Sequence, residues 1–387
     1  MDNKFSLNLK HISKELRLIF EIIKKRNDDR IILNEYFINI DWKYFLQLVN
    51  HHRVYPLIYL TLNKIENKLI PPHVIQTLYK EYRRNTLKML QLSGEMEIIS
   101  KLFAENKIRL LFLKGPVIAA ELYDDISLRT SKDLDIIIPL SVLEKAEALL
   151  ISFGYVREEE NPTLLNEQKW RYYHVTYFHP IKGVQIEIHW RLEPRPSKEP
   201  CFNDLWERKR VSILTSYPVN FLGKEDLFFY LTTHGARHGW FRLRWLVDID
   251  QMVRKGLCIR ETNLSLKKYK YHHIAGQALI LTSQLLNSPI NEEMKFLTER
   301  SHSKKLAQSS ILFIREMASL DIIMSNNYYK HYRLSLKSNL QKFLSFLILF
   351  YPVYTDTEIL KLPKHFHFLY FPLRPFLWAW RKTKKTA

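Results

Sequence analysis

Cysteine is scarce in this chain: Cys201 and Cys258 are the only two in 387 residues, and they do not sit at a metal-ligand spacing. A disulfide framework and a cysteine-based zinc site are therefore unsupported, and the composition suits a reducing cytoplasm. Glycine is also rare, at nine residues, and no internal repeat or low-complexity tract interrupts the chain. With 46% apolar and 13% aromatic residues spread throughout, this excludes a largely disordered protein. Long hydrophobic runs are missing as well. The most apolar stretch, Phe343 to Tyr354, is about a dozen residues and contains Pro352, well short of the ~20 needed to span a bilayer. The opening MDNKFSLNLKHISKEL is polar and charged where a signal peptide needs an apolar core. These absences predict a soluble, cytoplasmic protein with no transmembrane segment, and leave attachment to a surface open.

Acidic residues are outnumbered, 40 against 59 Lys and Arg, for a net charge of 59 − 40 = +19. Such an excess favours partners bearing phosphate or carboxylate, a class that includes nucleotides, nucleic acid, acidic peptides and anionic membranes. Part of it is local: Tyr328 to Ala387 holds eleven Lys and Arg but only Asp356 and Glu358 as acids.

A chain of this length exceeds the usual single compact core, so two or three packed subdomains are expected. Residues 1–106 read as an all-helical region, with apolar residues such as Leu87, Leu90, Ile98, Leu102 and Phe103 at helical spacing and Pro71-Pro72 as a break and restart. The period then changes. Ile108 to Leu113 reads as a buried strand leaving through the turn Lys114-Gly115-Pro116, followed by a helix over Val117 to Tyr123 and a strand over Asp133 to Ile138. A further helix is predicted with Ser141 as N-cap and Gly154 at its end. Arg171 to His179 and Val184 to Leu192, joined by Pro180 to Gly183, read as an antiparallel hairpin. Glu193 to Pro200 reads as a linker, beyond which helical periodicity resumes to about Phe350. The expected class is α+β, with a small mixed sheet over 107–200 between helical regions 1–106 and 201–387.

In Asp133-Leu134-Asp135 the strand period of two puts both carboxylates on one face. Such a pair repels itself unless a cation lies between, and a hard divalent ion takes oxygen ligands of this kind. Two ions clamping an in-line phosphoryl displacement call for a third carboxylate. Glu187, in Gln185-Ile186-Glu187-Ile188-His189, is the best candidate, with His189 assigned to packing or support rather than to a ligand role. Lys114-Gly115, where a strand ends and a helix begins, and Arg129, four residues before Asp133, are candidate phosphate ligands. Asp248 and Asp250 form a decoy, because residues i and i+2 of a helix point about 200° apart and cannot chelate one ion.

With these residues assembled, the sequence resembles the uncharacterised-type nucleotidyltransferases of the DNA polymerase β-like superfamily. The matching pieces, spread over most of the chain, are HHRVYPLIY at His51 to Tyr59, LFLKGPVIAAELY at Leu111 to Tyr123, LRTSKDLDIII at Leu128 to Ile138 and QIEIHWRL at Gln185 to Leu192. LTTHGARHGWFRLRWLVDID at Leu231 to Asp250 and LYFPLRPF at Leu369 to Phe376 follow. The resemblance implies that Asp133, Asp135 and Glu187 bind Mg²⁺ or Mn²⁺, that Lys114-Gly115 faces the phosphates of a nucleoside triphosphate, ATP foremost, and that His234, His238 and Arg242 face the cleft. One departure stands out: the superfamily usually has Gly-Gly or Gly-Ser at the turn, whereas Gly115-Pro116 lacks one backbone donor. The implied acceptor is a sugar, a lipid-linked glycan or a ribosomal peptide. A non-catalytic anion-binding adaptor and a nucleic-acid-directed transferase are the alternatives, although no aromatic-and-basic stacking module stands out. At the C-terminus the expectation is that the aromatics of His365 to Trp380 pack back on the helical region, that Pro372 and Pro375 prevent one regular helix, and that the last residues are dispensable for catalysis; an interfacial anchor is the other reading.

Overall fold

A computed structural model describes residues 5–27, 32–65, 68–158, 164, 172–317 and 325–386. It opens with helices α1 (Lys14–Asn27), α2 (Trp42–His51), α3 (Tyr55–Leu62) and α4 (Pro72–Glu105). Asp41 caps α2 by accepting a hydrogen bond from the Tyr44 N–H. Pro72 occupies the first turn of α4, where a missing N–H costs nothing. The buried stripe of α4 is Met89, Leu92, Met96, Ile99 and Phe103. Leu102 joins it, but Leu87, Leu90 and Ile98 face solvent, so the sequence pattern identified the helix and only part of its buried face.

Next come β1 (Leu111–Phe112), α5 (Pro116–Tyr123), β2 (Leu134–Ile137), α6 (Leu143–Ser152), β3 (Val156–Arg157), β4 (His174–His179) and β5 (Val184–His189). Gly154 closes α6 at φ +86°, as expected, but Ser141 is not its cap; it lies in a 3₁₀ turn, Leu140–Val142, and Val142 occupies the cap position. The linker expectation for Glu193 to Pro200 does not hold. The Glu199 carboxylate accepts from the N–H groups of Leu192 (3.2 Å) and Glu193 (2.8 Å), folding the segment back tightly. Beyond it, α7 (Phe202–Glu207) leads to β6 (Arg210–Ser212) and β7 (Val219–Phe221), so the sheet continues where only helices were expected. The seven strands run in the order β3-β4-β5-β2-β1-β7-β6. β2 and β5 are parallel, as are β1 and β7, and the other pairs are antiparallel, which makes the sheet mixed and the class α+β.

Helices α8 (Lys224–Arg237), α9 (Leu243–Arg254), α10 (Ile259–Tyr269), α11 (His272–Leu286), α12 (Glu292–Thr298), α13 (Ser301–Arg315) and α14 (Asn327–Ser335) follow. One continuous apolar core reaches from Leu7 to Leu336 and joins both helical flanks to the sheet. Gly235 in α8 is a point of close approach: a Cβ there would lie 2.3 Å from the buried Trp240 ring. Gly235→Ala is expected to cost about 1–3 kcal/mol of stability through overpacking, read as a lower urea midpoint at unchanged m-value.

The chain ends in α15 (Asn339–Ile348), α16 (Thr355–Ile359) and α17 (Tyr370–Thr386), a lobe whose own small core is Leu164, Tyr370 and Leu377. Two expectations fail here. Pro372 falls in the first turn of α17, where its ring is tolerated, and Pro375 is accommodated inside the helix, so the segment is helical after all. The aromatics do not pack back: Phe366, Phe368, Phe371, Phe376, Trp378 and Trp380 are all exposed. Among the described residues, no helix is long and apolar enough to cross a membrane.

Candidate functional site

The parallel pairing of β2 with β5 is in register, with Asp135 opposite Glu187 and Ile137 opposite His189. Because side chains alternate along each strand, Asp135, Glu187 and His189 meet on one face of the sheet. His189 Nε2 lies 3.2 Å from Asp135 Oδ1 and 3.4 Å from Glu187 Oε2. Lys114 Nζ reaches Asp135 Oδ1 at 3.1 Å. Asp135 and His189 are buried, and Glu187 is partly open to solvent.

These neighbours set the electrostatics. Burial works to raise the Glu187 pKa, but the hydrogen bond and charge of His189, with Lys114, outweigh it and hold it down to about 2. Burial also disfavours the charged form of His189, but its bonds to Asp135 and Glu187 win and raise it. Asp133, just before β2, is raised by burial and then by the charge of Asp135, against the pull of Lys114, Arg244 and Lys132. His174 stacks on His189 at 5.0 Å and is pushed down to about 4, by burial first and by His189 second.

A cation fits here on two counts. Asp135, Glu187 and His189 each offer one ligand atom within 4.8 Å of the others, the one such group among the described residues. In addition, Asp135 Oδ2 is buried with no hydrogen-bond partner, a costly state for a carboxylate oxygen unless a cation or donor meets it. Two carboxylates and an imidazole form a donor set that divalent ions accept. Asp133 lies outside this group, and His189, read from the sequence as support, lies inside it.

Gly115 has φ +99°, a conformation L side chains rarely adopt, and a Cβ would come 3.3 Å from Leu134 Cδ2, so the turn beside Lys114 requires glycine. Pro116 is the first residue of α5 and withholds one donor, as the sequence indicated. Arg129 differs from expectation. Its Nε and Nη2 donate to the two Asp248 oxygens at 2.9 and 3.0 Å, Tyr123 Oη donates to the same carboxylate at 2.8 Å, and the pair is sealed from solvent. The Arg129 charge is thus paired with Asp248 in the interior, with its Nη1 buried and without a hydrogen-bond partner.

His234 is buried and His238 half-buried; they neighbour each other, at 4.8 Å between rings, with His238 stacked on Trp245. Burial, then Lys114 for His234 and Arg237 for His238, pushes both well below the usual histidine range. Arg242 donates to the His51 carbonyl at 2.8 Å; burial and then Arg53 lower it to about 10. Sequence reasoning missed Arg53 and Arg244. Burial and then Arg129 bring Arg244 down to about 9; it donates to the Thr130 carbonyl, and its field reaches Asp133, as does that of Arg53. Both lie inside the quoted segments HHRVYPLIY and LTTHGARHGWFRLRWLVDID, but nothing in their spacing singled them out.

Residues 39–287 match the sequence profile of a family described as uncharacterised nucleotidyltransferase. The chain belongs to that family. No curated protein and no solved structure matches it. The matched span of this nucleotidyltransferase contains the whole sheet and every site residue named above, and it ends at Asn287, before α12 to α17.

Proposed function

We propose that this nucleotidyltransferase moves a nucleoside monophosphate, rather than a bare phosphoryl group, from a nucleoside triphosphate to a hydroxyl or carboxylate of a small, glycan or peptide acceptor, with the acceptor oxygen bonding the α phosphorus as pyrophosphate leaves. The observation that carries this reading is the Asp135–Glu187–His189 cluster on adjacent strands, with an orphaned carboxylate oxygen and a lysine at its edge. Asp135 and Glu187, with Asp133 beside them, would hold Mg²⁺ or Mn²⁺, an ion that would supply neutralisation of triphosphate charge and polarisation of the phosphorus. The rest falls to the chain. Lys114 binds phosphate oxygens next to the Gly115 turn, and the half-buried Arg53 lends its charge to the far phosphates, while the buried Arg244 holds the Thr130 carbonyl at the approach to β2. The partly open Glu187 orients the acceptor oxygen, while the buried His234 and the half-buried His238 keep that wall of the cleft neutral.

The test is incubation of the protein with each nucleoside triphosphate, labelled in turn at the α and γ phosphorus, with Mg²⁺ or Mn²⁺ and acceptors of the three classes, followed by mass spectrometry. Covalent retention of the α label on an acceptor is expected. Retention of the γ label alone replaces nucleotidyl by phosphoryl transfer, and failure to bind any nucleotide overturns the assignment. Lys114→Ala is expected to weaken binding of a non-hydrolysable triphosphate by about 1–3 kcal/mol, the worth of a charge-assisted hydrogen bond, as read by calorimetry.

A further inference from the structure

The terminal lobe exposes a series of large apolar side chains, and such a patch on a protein surface marks an interaction site. No residue of α15 is buried, although Leu340, Phe343, Leu344, Phe346 and Leu347 make up half of it. Phe343 and Phe346 are 58% and 55% exposed, and on α17 Phe376, Trp378 and Trp380 are 72%, 50% and 58% exposed. The lobe holds its shape without covering these rings. Asp356 is fully buried against Arg374 and Arg381, and Tyr370 Oη, itself buried, donates to the Leu360 carbonyl. Against α15 opens a cavity of about 450 Å³, with Leu344, Leu347 and Phe371 on its apolar side and Arg195, Lys198 and Lys270 among its lining.

The charge of the segment decides what covers this surface. From Tyr328 to Ala387 the balance is 11 − 2 = +9, and one of the two acids, Asp356, is buried in its ion pairs. A two-fold contact between copies would set this excess against itself, because both copies present the same patch. An anionic bilayer meets both halves of the chemistry: tryptophan and phenylalanine favour the boundary between headgroups and acyl chains, and each nearby lysine or arginine adds attraction to acidic lipid. We propose that α15 and α17 form a docking surface for a membrane rich in anionic lipid, with the phenylalanines and tryptophans inserted at the headgroup level. The lobe lies outside the span matched to the family, so the proposal stands independently of the transfer reaction.

The experiment uses the full chain with vesicles of phosphatidylcholine alone and of phosphatidylcholine with one quarter phosphatidylglycerol, followed by sedimentation and tryptophan emission. Binding to the anionic vesicles at least tenfold tighter than to the neutral ones is expected, with a blue-shifted emission. The paired variants Phe343→Ser with Phe346→Ser, and Trp378→Ser with Trp380→Ser, replace exposed side chains and are expected to melt like the parent while losing at least tenfold in vesicle affinity. Three results overturn the proposal: no binding, equal binding to neutral vesicles, or variants that bind like the parent, which would assign the attraction to the general positive charge. Sedimentation of a dimer that the phenylalanine variant dissociates would overturn it too, by giving the surface to a second copy.

Discussion

Asp135→Asn is expected to reduce nucleotidyl transfer by roughly a thousandfold or more, about 4 kcal/mol of barrier, while the protein still folds. Asp135 is the centre of the cluster: its Oδ1 is shared by Lys114 and His189, and its Oδ2 has no partner. Asparagine preserves the volume and one acceptor oxygen but replaces the orphaned oxygen by an N–H₂ group, which repels a cation where the carboxylate attracts one. The loss of charge also weakens the bonds to Lys114 and His189. That cost is offset by relief of the repulsion with Asp133, so a melting temperature within a few degrees of the parent is expected. A readout separate from turnover locates the defect. Mn²⁺ with a non-hydrolysable triphosphate should stabilise the parent by about 2.7 kcal/mol at a hundredfold excess over Kd, and should leave the variant unmoved. Undiminished turnover in the variant would remove Asp135 from the chemistry.

Why some of this site was legible in the sequence, and some not, follows from the range of the interactions. The hairpin of β4 and β5 and the strand bearing Asp135 are local patterns, and alternation alone placed Glu187 and His189 on one face. The parallel register of β2 on β5 joins residues 52 positions apart, and no local signal encodes it, so the approach of His189 to both acids could not be weighed and its role was underread. Strands β6 and β7, at three residues each, are too short for alternation to emerge from noise. The exposed aromatics of α17 were assigned to the interior because apolar composition alone does not tell a core from an interface. Asp248 is structural, as its helical setting indicated, but its partner Arg129 was judged by its own neighbourhood alone, because 119 residues separate the two.

That pair makes the sharpest distinction between a phosphate ligand and a buttress. Asp248→Asn is expected to cost about 3–5 kcal/mol of folding stability, because it leaves the Arg129 guanidinium buried without its counter-charge. Arg129 is 1% exposed and Asp248 fully buried, the contact is two-pronged, and the Tyr123 hydroxyl uses the same carboxylate as acceptor. The segment they hold is the approach to β2. Asn85 Nδ2 donates to the Ser127 carbonyl at 2.7 Å, Arg244 donates to that of Thr130, and Asp133 and Asp135 follow within six residues of Arg129. Arg129→Met, which strands the buried Asp248 carboxylate in turn, and Asp248→Leu, which strands the guanidinium, are each expected to lose a similar amount, and their combination to lose much less than the sum of these two single changes, since an apolar pair leaves no stranded charge. Urea titrations of the four proteins measure this coupling. A phosphate ligand at Arg129 would behave otherwise: Arg129→Met would weaken triphosphate binding at little cost in stability, and Asp248→Asn would leave binding alone. Single-variant losses below about 1 kcal/mol, with nucleotide affinity reduced only in Arg129→Met, would restore Arg129 to the phosphates.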